Sequence, residues 1–158
     1  MSEMINIKPG KLVGIHTSLF AIFNAEKYDA ALIPTAWQEF FQKAADSELT
    51  HGHTFYGASI PSMSFDVPMD YFAGAIVDSD FEVPEGFESV DIPGGNYLCI
   101  KHSGPIANIA GSYAKAYMEV LPASGNEMRL APHLEIYNSE KDPSSEDYSM
   151  LIGVPVKE

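Results

Sequence analysis

The sequence is short of cysteine, of positive charge and of long apolar runs, and each shortage removes a class of protein. Its one cysteine, Cys99, sits among 158 residues, so no intramolecular disulfide forms and a stapled secreted scaffold is excluded. Nine Lys and Arg face 22 Asp and Glu, a net charge of −13. Binding to nucleic acid needs clustered cations to displace counterions, and an anionic membrane repels such a chain. No apolar run approaches the ~20 residues of a membrane span. The start MSEMINIKPGK lacks the apolar core of a signal peptide, so the expected setting is the cytoplasm. A Gly-rich phosphate loop, a dinucleotide fingerprint and a nucleophile elbow are also missing.

What is present is an ordinary globular composition, 46% hydrophobic and 20% charged, enough for one domain with its own core. Trp37, Phe40, Phe41, Ala44 and Ala45 recur at helical spacing, which predicts a helix over 35–47 with Thr35 and Gln38 as its capping box. Ile106, Ile109, Tyr113, Ala116 and Val120 predict a second over 105–121, opened by Pro105 and closed by Pro122 and Gly125. Segments 12–16, 54–60, 71–77, 89–92, 97–102, 133–138 and 151–156 read as strands, with turns at 93–95 and 142–145. Segment 18–33 fits a helix or a packed loop.

The order strand–helix–strand–strand occurs twice, as KLVGIH, helix, THGHTFYGAS, YFAGAIV and as NYLCIKH, helix, APHLEIYN, MLIGVPV. This pattern predicts an α+β fold of two fused modules, 1–80 and 81–158, in a single domain over 1–158. A pseudo-twofold antiparallel sheet with helices packed on it would leave a central cleft between the modules, where small-molecule sites commonly form.

Over residues 71–157 the run IPGGNYLCIKHSGP, then SYAKAYMEVLPASGNE, APHLEIYN and IGVPVK resembles the GyrI-like effector-binding domain. This family includes the sensor domains of AraC-type and MerR-type regulators. The resemblance is looser over 1–70, where the Trp37 helix and FYGAS fit. It departs at Val120, where the family usually has Trp, and at Asn126, where an aromatic is common.

Period-two alternation puts Glu135 and Tyr137 on one strand face and Leu134 and Ile136 on the other. On pattern alone Glu135 is a solvated strand glutamate; the resemblance implies the family's pocket carboxylate. A carboxylate among aromatic rings favours an organic cation, and the implied ligand-binding set is Glu135, Trp37, Tyr71 and Tyr137. Core packing is the alternative for Trp37. Tyr97 and Tyr113 read as core residues with one polar tip. The first-half counterpart of Glu135 is Tyr56 or Gly57.

The leading expectation is a stand-alone small-molecule binding protein that captures a cationic or neutral amphipathic compound in the cleft between the modules, with no metal or cofactor, no DNA-binding module and no direct contact with nucleic acid or membrane. One alternative is a hydrolase of strained electrophiles using Glu135 as general base. Another is a protein-interaction role, with a gyrase or a regulator as partner. His51 and His53 lack a third ligand at metal spacing and read as a loop tip. His16, His102 and His133 read as turn or surface residues. Ser112 and Lys115 match a β-lactamase spacing by chance, and Cys99 reads as an inert buried thiol. The acidic stretches 78–88 and 140–147 read as solvated loops.

Overall fold

The computed structural model describes residues 2–21, 23–50, 52, 54–61 and 66–157; His51 and His53 lie outside them. Eight strands form one antiparallel sheet: β1 (Ser2–Ile7), β2 (Gly10–Leu19), β3 (Phe55–Ile60), β4 (Met69–Val77), β5 (Glu88–Ile92), β6 (Gly95–Ser103), β7 (His133–Tyr137) and β8 (Ser149–Pro155). Their spatial order is β1-β6-β8-β7-β3-β4-β2-β5. Reading outward from the central β7–β3 seam, β7, β8, β6 mirror β3, β4, β2. This is the pseudo-twofold α+β sheet expected from the repeated order of elements. Only β1 was absent from the sequence reading, because SEMINI is a half-polar edge strand with little alternation.

The outermost strands are exchanged between the halves: β1 adds to β6, and β5 adds to β2. That exchange forces the sheet to curl. Strands β1 and β2 stand six places apart, which is about 29 Å in a flat sheet. Lys8 and Pro9 alone connect them, and so short a link spans at most about 11 Å. The same holds for β5, β6 and the link Pro93–Gly94. The two links cross at Gly94, whose φ is +82°. A Cβ there would sit 2.8 Å from both the Ile7 carbonyl oxygen and the Pro9 nitrogen, so only glycine fits.

Curling gives the sheet two unlike faces. One closes on itself, packing Leu12, Ile92, Tyr97, Cys99, Leu134 and Ile136 from both edges and the centre into one core. The other face carries the helices. Helix α1 (Leu32–Lys43) buries Ala36 and Phe40 against Val13, Ile15, Tyr71 and Ala73. The second helix covers Leu98, Ile100, Met150, Ile152 and Val154.

Both helices differ from their sequence-based limits. Helix α1 begins at Leu32 with no cap from Thr35. No side chain caps it; upstream, the Asp29 carboxylate accepts the Ala31 N–H at 2.9 Å, and Pro34 lies in the first turn, where an N–H has no helical partner anyway. The open segment 18–33 thus divides into the end of β2, a turn region and the start of α1. The second helix runs as a 3₁₀ turn (Ile106–Asn108), α2 (Ile109–Lys115), a wider π-helical turn (Ala116–Val120) and α3 (Leu121–Ser124). Pro122 does not end it, because the wide turn absorbs the missing N–H. Gly125, at φ +76°, does. The acidic stretch 78–88 is not wholly solvated either: Phe81, Val83 and Phe87 anchor it on the α1 core.

Candidate functional site

Glu135 lies on β7 at the seam of the sheet, on the helix-bearing face, and is only 5% exposed. Strand alternation puts it there, since Leu134 and Ile136 take the opposite core. None of the ion pairs among the described residues includes it. Its charge is met by phenols instead. Tyr71 and Tyr137 donate to Oε1 at 2.7 and 2.6 Å, and Tyr113 donates to Oε2. Burial and the neighbouring carboxylate hold all three phenols well above their ordinary range, so they stay protonated and remain donors.

Each donor comes from a different element. Tyr71, fully buried on β4, reaches Glu135 by crossing β3, which lies between β4 and β7. The crossing is open because the β3 residue directly opposite Glu135 is Gly57. Gly57, rather than Tyr56, is therefore the first-half residue that faces the carboxylate. Tyr137 shares the strand face of Glu135. Tyr113 comes down from α2. Trp37, half-buried on α1, donates its Nε1–H to Tyr71 Oη at 3.0 Å and meets Tyr137 edge-on at 5.0 Å between centroids. The structure thus brings Glu135, Trp37, Tyr71 and Tyr137 into one constellation.

Residues outside the sequence-based set join them. Tyr113, read as a core residue with one polar tip, packs on the core under the second helix, and its hydroxyl tip donates to the carboxylate. Tyr117 stacks on Tyr113 at 6.3 Å and on His133 at 5.7 Å, and its hydroxyl lies 2.5 Å from His133 Nδ1. His133 is thus no surface residue; burial pushes it down to about 4, leaving it neutral at pH 7. The i, i+4 pair Tyr113 and Tyr117 was the available signal for this second aromatic wall. Two cavities among the described residues, of about 400 and 240 Å³, are lined by other residues.

The remaining candidates are structural. Tyr97 is fully buried and donates to the Pro132 carbonyl at 2.8 Å. His102 is buried near the end of β6, with Nδ1 2.6 Å from Ser112 Oγ and Nε2 3.0 Å from the Pro105 carbonyl, so Ser112 serves His102 and not Lys115. His16 pairs with Asp70 at 2.7 Å on a partly exposed rim. Cys99 is buried and its thiol is pushed up to about 12, which makes it unreactive as expected. Among the described residues no group of His, Cys, Asp and Glu is arranged to hold a metal, and no helix is long and apolar enough to cross a membrane.

A curled antiparallel sheet with two helices on one face and a buried carboxylate beneath aromatic rings fits a small-molecule binding domain. The chain belongs to the GyrI-like family: the model of the GyrI-like small molecule binding domain matches residues 2–157. It is similar to the transcriptional regulator BrlR of Pseudomonas aeruginosa, 24% identical over 141 residues, which are 80% of this chain and 49% of BrlR. The chain spans about half the length of that relative. Two solved structures share the fold. SAV2435 bound to tetraphenylphosphonium superposes with a TM-score of 0.72 at 20% identity, covering 99% of this chain and 94% of that one. The EcmrR C-terminal domain gives 0.69 at 17% identity, covering 99% and 97%.

Proposed function

We propose that this chain captures an amphipathic organic cation between its two helices, at Glu135, with Trp37, Tyr71 and Tyr137 as the aromatic surround. One observation carries the reading: a buried carboxylate with no basic partner among the described residues, held by phenols. A carboxylate removed from water without a counter-cation is costly unless hydrogen-bonded. Here three donors stabilise it and leave acceptor capacity, since a carboxylate offers about four lone-pair sites. A lipophilic cation entering the site supplies the missing charge. Each ring face it meets contributes about 0.5–2 kcal/mol of cation–π attraction. The tetraphenylphosphonium complex of SAV2435, a protein of the same fold, supports this ligand class. The setting is cytoplasmic, in keeping with a single buried thiol.

Trp37 is the only tryptophan, so its emission reports on the site. Tetraphenylphosphonium should quench it saturably. Glu135→Gln, which keeps the shape and removes the charge, should raise the Kd about tenfold or more. A wild-type protein whose emission and heat of mixing ignore the cation would rule the reading out.

A further inference from the structure

Gly57 is a glycine that its own backbone does not require. It sits inside β3, where glycine weakens a strand, and its φ is not in the left-handed region. The space around it gives the reason. A Cβ at this position would lie 2.3 Å from Tyr71 Oη, 2.8 Å from Tyr71 Cζ and 2.7 Å from Glu135 Oε1. No backbone atom is among those three contacts, so what the missing side chain makes room for is the Tyr71–Glu135 hydrogen bond itself.

That bond also divides the carboxylate. Oε1 lies over Gly57 and accepts from both strand tyrosines, Tyr71 and Tyr137. Oε2 accepts only from Tyr113, on the helix side. We propose that Gly57 is a positioning residue for ligand binding: its lack of a side chain lets Tyr71 tether Oε1 to the sheet and so turns Oε2 toward an incoming cation. This rests on the reading of Glu135 as the cation-binding carboxylate. Any side chain at 57 displaces the Tyr71 hydroxyl, leaves Oε1 with Tyr137 as its one donor and breaks the Trp37–Tyr71 bond that the same hydroxyl accepts.

The test is a double-mutant cycle read by tetraphenylphosphonium affinity and by Trp37 emission. Gly57→Ala in the otherwise unchanged protein should raise the Kd about tenfold, the loss of one charge-assisted hydrogen bond, and shift the emission of Trp37. In the Tyr71→Phe background the hydroxyl is gone while the contacts with the ring carbon and Glu135 Oε1 remain, so Gly57→Ala should raise the Kd clearly less than in the otherwise unchanged protein and leave the emission where Tyr71→Phe put it. Folding of Gly57→Ala only in the Tyr71→Phe background would be the same result in stronger form. Equal losses in both backgrounds, or unfolding in both, would overturn the proposal. Glu135→Gln separates the two levels: if it leaves the Kd unchanged the carboxylate reading fails, whereas additive Gly57 effects beside a weakened Glu135→Gln defeat only the role of Gly57.

Discussion

Trp37 and Tyr71, 34 residues apart on a helix and a strand, are joined by a 3.0 Å hydrogen bond from the indole N–H to the phenol oxygen. The same phenol donates to Glu135. The three groups form one directed chain, indole to phenol to carboxylate, running from half-buried helix to buried seam. Each donor in it has its acceptor, and each link polarises the next. The tryptophan is therefore tied to the carboxylate as well as packed beside it.

Trp37→Phe should keep most of the ring contact with Phe40, Phe41 and Tyr137 while leaving Tyr71 Oη without its donor. The expected loss is about 1–2 kcal/mol of folding stability, one hydrogen bond with some packing. Urea unfolding followed by circular dichroism measures it. An unchanged midpoint would mean that the indole N–H contributes nothing.

The phenols also set the behaviour of the protein in alkali. Tyr71, Tyr113 and Tyr137 lie well above the ordinary range in the fold, by burial first and by Glu135 second. In the unfolded chain they ionise near pH 10. Above that pH the native state holds more protons than the unfolded state, so stability falls as pH rises. Phenolate absorbance should show these three tyrosines ionising only as the protein unfolds. Their titration near pH 10 with the fold intact would contradict the buried cluster.

Much of this molecule was legible in its sequence, and the parts that were not share a physical cause. Apolar spacing located both helices and seven of the strands, because burial of one face dictates that spacing. It missed β1, whose edge position leaves most of its residues exposed. It started α1 too late, because the helix begins at Leu32 without a side-chain cap and the Thr35–Gln38 pattern marked a cap that does not form. For the site, Glu135, Trp37, Tyr71 and Tyr137 were named through family resemblance, whereas Tyr113 was read only as a core residue with one polar tip whose partner the sequence did not name. Helical periodicity says which face of a helix is buried, not whether a hydroxyl on that face meets a carboxylate. Gly57 illustrates the same limit. Its role depends on the register of β3 against β4 and β7, a long-range property that local pattern does not carry.

The crossing of the two links yields a test of the curl. Gly94→Ala meets both a left-handed backbone, at φ +82°, and the contacts with Ile7 and Pro9. The cost should be about 2 kcal/mol or more, since strain and crowding act together. Thermal unfolding measures it against Gly111→Ala, whose added Cβ meets no heavy atom within 4 Å and which lies within α2. That control should be neutral or slightly stabilising. Equal effects at the two positions would remove the crossing as a constraint on the sheet.

Acid should weaken the fold through His133. Burial holds this imidazole at about 4 against an ordinary 6.5, and Tyr117 stands at its Nδ1. Between those values the unfolded chain takes up a proton that the native protein refuses. Stability is therefore fully present above pH 6.5 and is lost as pH falls toward 4, by at most about 3 kcal/mol. Tyr117, which stacks on the ring, stays protonated at these pH values, Ser59 is the residue opposed on β3, and Glu135 lies two residues along the same strand face. His133→Gln keeps a polar group near Tyr117 and cannot titrate. Its urea midpoint should fall less than that of the wild type between pH 7 and pH 5. Parallel losses in the two proteins would assign the acid sensitivity to other residues.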